Sequence, residues 1–307
     1  MQDAKQYSII MPDLLNLTKK AKAGDVKAQT ELGIFYYNNG DGDLAFTWLS
    51  EAAEQGNAEA KFYLARCYHY SFGAEYDSEL LFHLYKEAAE AGIAEAMGEV
   101  GFCYLYGFGT DNTESVETQE KQALYWFREG TKHRDPESCY WLGCCVLYGT
   151  STEADEKRAF HYFQEAVDLA EISQTRIPKA ESQIGICYYE GCGTDVDYEK
   201  AVEWFEKSAE ENFAEALYML GNCYFLGHGV EKDLEKALEY YHKVAEIPSD
   251  EMGFRDEEDA FCALGYCYEN GLGTEKNLSE AVYWYSKAEE CGSEEGRERL
   301  DKLLGKE

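Results

Sequence analysis

One pattern recurs seven times along the 307-residue chain, and it constrains the fold more than any other feature. Each copy opens on a small residue, places Leu-Gly four and five positions later, and sets Tyr four positions after the Leu. The clearest copies are Ala28/Leu32-Gly33/Tyr36, Ala216/Leu220-Gly221/Tyr224 and Ala260/Leu264-Gly265/Tyr268. Looser ones are Ala60/Leu64-Ala65/Tyr68, Ala96/Val100-Gly101/Tyr104, Ser138/Leu142-Gly143/Val146 and Ala180/Ile184-Gly185/Tyr188. Steps of four put these residues on one stripe of a helix, with Gly or Ala where another backbone must come close. Such a repeat buries each unit against its neighbours, so the length does not demand two globular cores.

A second stripe follows each first one. Ala45, Trp48, Leu49, Ala52 and Ala53 have the i, i+3, i+4, i+7, i+8 spacing of an amphipathic helix. The same frame holds Ala123/Trp126-Phe127, Ala159/Tyr162-Phe163, Ala201/Trp204-Phe205, Ala237/Tyr240-Tyr241 and Ala281/Trp284-Tyr285, with Leu81/Leu84-Tyr85 departing. Each unit is therefore a helix A, a turn and a helix B. Gly107-Phe108-Gly109, Gly191-Cys192-Gly193, Gly227-His228-Gly229 and Gly271-Leu272-Gly273 stand where helix A must stop, and Gly56, Gly92 and Gly292 end helix B. The expectation is an all-α chain of about sixteen helices. A capping helix at 12–24 precedes repeats at 25–56, 57–92, 93–134, 135–176, 177–212, 213–256 and 257–292, and a polar cap at 293–307 closes one solenoid.

The combined pattern Ala-x3-Leu-Gly-x2-Tyr, then Gly-x-Gly, then Lys-Ala-x2-Trp-Phe/Tyr-x-Lys-Ala-Ala-Glu resembles the Sel-one-like repeat (SLR), a relative of the tetratricopeptide repeat. The resemblance spans nearly the whole chain. It implies a right-handed alpha-alpha superhelix whose helices A line a concave surface, and a protein that binds proteins or peptides as an adaptor. The repeat Leu positions, 32, 64, 100, 142, 184, 220 and 264, include three intervals longer than the family's usual one. They locate insertions at 110–120, expected as a solvated loop, around 168–178, expected as an extended helix B stopped before Pro178, and at 247–258, expected as a loop with apolar residues.

Charge narrows the choice of partner. With 60 acidic and 28 basic residues the chain carries a formal −32, which repels phosphate backbones and anionic lipid headgroups. Neither nucleic acid nor a membrane is expected as a partner. No apolar run approaches the ~18 residues of a membrane span, and the first residues lack the pattern of a secretory leader. Eleven Cys, an odd number, leave at least one thiol unpaired. A reduced, cytoplasmic setting is the expectation.

Catalytic chemistry finds little support. The Gly-x-Gly loops follow helices, whereas a dinucleotide site needs a preceding strand. Cys67, Cys103, Cys145, Cys187, Cys223 and Cys267 share one repeat position, so they lie too far apart for a disulfide and read as buried packing residues. Secreted relatives staple helix pairs through a different cysteine frame, which this chain does not carry. Cys139, Cys144, Cys145 and Cys192 have no metal-ligand spacing to one another or to His, so no metal or cofactor is expected. The abundant carboxylates read as a solvated face, and no nucleophile motif occurs.

One stripe resists the expectation of a polar outer face. On helix A of repeat six, Tyr218, Asn222 and Phe225 lie nearly opposite the core stripe. Equivalent residues are Phe62, Arg66 and His69 in repeat two, Phe102 and Leu105 in three, Tyr140, Cys144 and Leu147 in four, and Ile186 and Tyr189 in five. The resemblance places this row inside the superhelix as a partner-binding groove. The expected function is a non-enzymatic interaction module that takes a protein or peptide with apolar or basic contact residues. Self-association through the same row stays open. The alternative is an enzyme or small-molecule binder with a pocket in that groove.

Overall fold

The structure, a computed structural model, describes residues 11–110, 114–248 and 256–305. Among them all regular structure is helical: sixteen α-helices and no strand. A leading helix α1 (Met11–Lys22) is followed by A/B pairs. These are α2 (Val26–Asn38) with α3 (Gly42–Glu54), α4 (Ala58–His69) with α5 (Ser78–Glu90), and α6 (Ala94–Tyr106) with α7 (Val116–Lys132). Next come α8 (Pro136–Tyr148) with α9 (Glu156–Ile172), α10 (Pro178–Glu190) with α11 (Tyr198–Ala209), and α12 (Ala214–Leu226) with α13 (Leu234–Ala245). The last pair is α14 (Asp256–Asn270) with α15 (Leu278–Glu290), and α16 (Glu294–Leu304) ends the series. The chain divides into two compact units, Met1–Thr175 with α1–α9 and Arg176–Glu307 with α10–α16.

A steric lock joins the two helices of each of repeats three to seven. The Gly after the repeat's Leu leaves a hollow in helix A, and a ring from helix B fills it. In unit one a Cβ at Gly101 would stand 2.5 Å from Phe127 Cε1, and one at Gly143 would stand 2.7 Å from Phe163 Cε1. In unit two the pairs are Gly185 with Phe205, Gly221 with Tyr241 and Gly265 with Tyr285, at 2.4–2.5 Å. All five rings are fully or almost fully buried, and burying such a side chain stabilises by about 1.5–3 kcal/mol. Leu32, Leu220, Leu264 and the Ala of both stripes complete the core.

The turns obey local chemistry. Asp41, Asp77 and Asp155 in unit one, and Asp197 and Asp233 in unit two, each accept a backbone N–H near the start of helix B. Each such cap contributes about 1 kcal/mol. Gly107 ends α6 at φ +75°, in the left-handed region that Gly adopts without a Cβ clash. The second Gly of a Gly-x-Gly loop has another task. At Gly229 a Cβ would stand 2.2 Å from the Tyr198 carbonyl oxygen, so the loop of repeat six lies directly on the first residue of helix B in repeat five.

The insertions divide. Of the loop expected at 110–120, residues 111–113 lie outside the described residues, but from Val116 onward the chain is α7 rather than loop. Ser115 is the reason: its hydroxyl accepts from the Thr118 amide and starts the helix early. Helix α9 runs to Ile172, in accord with an extended helix B. Most of the 247–258 insertion lies outside the described residues. At the ends, α1 packs Leu14, Leu17 and Ala21 onto Leu32 in unit one, and α16 packs Leu300 and Leu303 onto Tyr285 in unit two.

None of the eleven cysteines is in a disulfide, and eight of them are buried, including the six at the shared repeat position. Burial pushes Cys67, Cys103, Cys145 and Cys223 up to about 12, which keeps them protonated packing groups. Among the described residues no helix is long and apolar enough to cross a membrane, and no cluster of His, Cys, Asp or Glu could hold a metal ion.

Candidate functional site: the helix A faces

In unit one the row of residues opposite the core stripe forms two aromatic clusters. The first centres on Arg66, whose Cζ stands 5.3 Å from the Tyr37 ring, 5.8 Å from Phe62 and 5.9 Å from Tyr70. His69 stacks on Tyr70 at 4.6 Å and has Nδ1 3.4 Å from the Tyr85 hydroxyl. Burial and, after it, the Arg66 charge lower the basicity of His69, so its imidazole is neutral near pH 7. Phe62 is the exception in this row. It is 6% exposed, packed between Tyr63 and the Tyr85 ring, and belongs to the core.

The second cluster joins repeats three and four. Phe102 meets Tyr106 at 4.7 Å, Trp141 at 5.2 Å and Phe108 at 5.8 Å. Tyr140 stands edge-on to Trp141 at 5.0 Å, and Leu105, Cys144 and Leu147 are half-buried beside these rings in their helices. Three outward residues were not singled out by the sequence reasoning. Tyr70, Tyr106 and Tyr148 sit six places after the repeat's Leu or Val, at the C-terminal ends of α4, α6 and α8, and are 58%, 55% and 74% exposed. Their common register is a signal that the sequence contained.

In unit two Ile186 and Tyr189 are half-buried, and the Tyr189 hydroxyl lies 3.0 Å from His228 Nδ1. Tyr218, Asn222 and Phe225 come together on the wall of a cavity of about 270 Å³. The Tyr241 hydroxyl donates to Asn222 Oδ1 at 2.8 Å, and Tyr266 of α14 supplies a further ring. Asp259, Glu295 and Arg299 bring charge to the lining. Arg299 Nε donates to Glu295 at 2.8 Å, and its Nη1 stands 3.7 Å from Glu269. Burial raises the Tyr218 hydroxyl's pKa, the Asp259 and Glu295 charges add to that rise, and a hydrogen bond with Asn222 opposes it.

Two small residues contribute to the wall of the cavity. Cys262 and Ala263 of α14 line it two and one places before Leu264. Repeat two has Phe62 and Tyr63 at those places and repeat four has Tyr140 and Trp141, so rings stand there in these two repeats. Rings, an amide and carboxylates can hold a ligand by contact, hydrogen bonding and attraction of a cation to aromatic faces.

The comparisons with known proteins agree with the repeat frame. The Sel1 repeat matches at residues 26–57, 58–93, 94–133, 136–170, 178–213, 214–246 and 259–293. Among solved structures the chain is similar to a protective antigen of uropathogenic Escherichia coli strains that displays an SLR fold, with 28% identity and a TM-score of 0.65. That match covers 95% of this chain and 59% of the antigen, so this chain spans about three-fifths of its length. It is also similar to a Sel1 repeat protein from Oxalobacter formigenes, with 27% identity, a TM-score of 0.67, and coverage of 85% of this chain and 99% of that one. No curated protein sequence matches the chain. Proteins built from these repeats generally act as interaction modules. Seven matches in the frame that the Leu-Gly-Tyr stripe defines place this chain in the Sel1 repeat family.

Proposed function

We propose that this protein binds a partner protein or peptide on its helix A faces, acting as an adaptor and not as an enzyme. The observation that carries the reading is the exposed ring at one register of three consecutive repeats: Tyr70, Tyr106 and Tyr148. Tyr70 stands beside Arg66 and His69, and Tyr106 beside Phe102, on their own helices. Tyr offers large contact area at small entropic cost, and grouped aromatic surface marks interaction sites. The −32 charge favours a partner with basic as well as apolar contact residues, and it should make association faster at low salt. Nucleic acid and anionic membranes are disfavoured by the same charge. Eleven cysteines outside any disulfide fit a reducing compartment such as the cytoplasm. A small-molecule enzyme is the weaker reading, since about 270 Å³ falls below the ~300–1,000 Å³ of ordinary ligand pockets.

The test compares the wild-type chain with a Tyr70→Ser/Tyr106→Ser/Tyr148→Ser variant in quantitative capture of a partner. Tyr125→Ser/Tyr283→Ser, which removes exposed rings from helices B, serves as control. The triple variant should bind at least about tenfold more weakly with unchanged helical content, and the control should bind normally. Normal binding by the triple variant, or equal loss in the control, overturns the reading. Rings that serve only self-association would show as a loss of dimer with no partner bound.

A further inference from the structure

We propose that the cavity of unit two receives the basic side chain, Arg or Lys, of a partner segment. The assignment rests on the protein-binding reading above and specifies what one part of that surface recognises. Its volume of about 270 Å³ suits one long side chain better than a drug-sized ligand. The walls offer the rings of Tyr218, Phe225 and Tyr266, the faces of which attract cations. Two of these rings already do so within the chain: Arg299 Cζ lies 5.0 Å from the Tyr266 centroid, and Lys232 Nζ lies 5.7 Å from that of Phe225.

The charge balance selects the sign of the guest. Glu295 and Glu269 both face Arg299, at 2.8 and 3.7 Å, so its guanidinium is offset within the wall. Asp259 adds a further negative charge to the lining. An incoming carboxylate or phosphate would meet the two lining carboxylates, Asp259 and Glu295, with the one lining guanidinium already engaged by Glu295 and Glu269, whereas an ammonium or guanidinium meets rings and acceptors. Asn222 offers its amide, already held by Tyr241, to orient the guest's polar end. The rise in the Tyr218 pKa caused in part by Asp259 and Glu295 is in keeping with a negative potential inside. Exposed Leu226 and half-exposed Tyr266 edge the opening, so the segment carrying the basic residue has apolar surface to lie against.

The experiment titrates the full chain, carrying ¹³C-labelled tyrosine, with the blocked peptide Ac-Ala-Arg-Ala-NH2 and with its neutral citrulline counterpart. The Tyr218 and Tyr266 ring signals should shift saturably with the Arg peptide, and the citrulline peptide should bind at least about tenfold more weakly. Two variants should abolish the response. Cys262→Phe restores the ring that repeat two carries at this place and fills the cavity. Asp259→Asn/Glu295→Gln removes charge at exposed positions and keeps the test valid should the filled variant misfold. Equal binding of the citrulline peptide, stronger binding of Ac-Ala-Glu-Ala-NH2, or no saturable shift overturns the proposal. Partner capture separates the two levels. If the charge variant captures the partner normally while the triple Tyr variant does not, the cavity assignment alone fails. If both capture it normally, the protein-binding reading fails as well.

Discussion

Repeats four and seven share one frame, yet their helix A faces end in opposite shapes. In repeat four, within unit one, Tyr140 and Trp141 fill the two places before Leu142, and Trp141 also meets Phe102 and Tyr106. In repeat seven, within unit two, Cys262 and Ala263 hold those places and line a cavity. The core is the same in both: Phe163 sits against Gly143, and Tyr285 sits against Gly265. The lesson is a division of labour along the helix. One stripe carries the lock that repeats three to seven share, and the places beside it are free to vary because a ring or a hollow there leaves the lock intact.

The division can be broken from the core side first. Gly143→Val in unit one and Gly221→Val in unit two would each drive a branched side chain into a buried ring 2.4–2.7 Å away. Both should lose about 3 kcal/mol or more, seen as a fall in the denaturation midpoint of similar size in the two variants. If one variant were tolerated, the lock would not be a common device of the two units.

Ion pairs sharpen the contrast with a smaller effect. In unit two Glu181 is 2% exposed and meets Arg176 at 2.7 Å and Lys207 at 3.7 Å. Arg176→Ala leaves a buried carboxylate with its more distant partner, and a loss of about 2–3 kcal/mol is expected. In unit one the Lys61–Glu87 pair, at 2.6 Å, has Glu87 largely in solvent, and Lys61→Ala should cost under about 1 kcal/mol. Chemical denaturation of both variants reads the difference, and equal losses would deny it.

A single buried carboxyl in unit one gives an effect of similarly small size that depends on pH. Asp135 caps α8, is buried, and is pushed up to about 6 by desolvation, although the Ser138 hydrogen bonds oppose the rise. A carboxyl raised above its unfolded value of 3.8 disfavours the folded state once it ionises. Its unfavourable contribution therefore fades as pH falls through 6 toward 4. Between pH 7 and pH 5 this group should return about 1 kcal/mol of stability, and the gain should vanish in Asp135→Asn, which keeps an oxygen for the cap. An identical pH profile in the variant would remove Asp135 as the cause.

The helices were legible because every repeat states its frame twice, in the Leu-Gly-Tyr stripe and in the Ala-x2-Trp-Phe stripe. The early start of α7 was not, since it depends on one hydroxyl at Ser115 taking the N-cap role inside a polar run. For the site, helical angle alone cannot separate a ring that faces solvent from one that a neighbouring helix covers. Phe62 points away from the core stripe of α4 and is still buried, because Tyr63 and Tyr85 enclose it. Tyr70, Tyr106 and Tyr148 escape cover because each lies at a helix end. The cavity was hidden for another reason. Its wall includes the small Cys262 and Ala263 on one helix as well as the rings of Tyr218 and Phe225 on another, and a pattern search that looks for large side chains passes over a hollow.

The most direct test of the central claim is a hydroxyl-radical footprint of the chain with and without its bound partner. Binding on the helix A faces predicts protection of Tyr70, Tyr106 and Tyr148 in unit one and of Leu226 and Tyr266 in unit two. Tyr125 and Tyr283, exposed on helices B, should keep their free reactivity. Protection of Tyr125 and Tyr283 with the helix A rings unchanged would contradict the account.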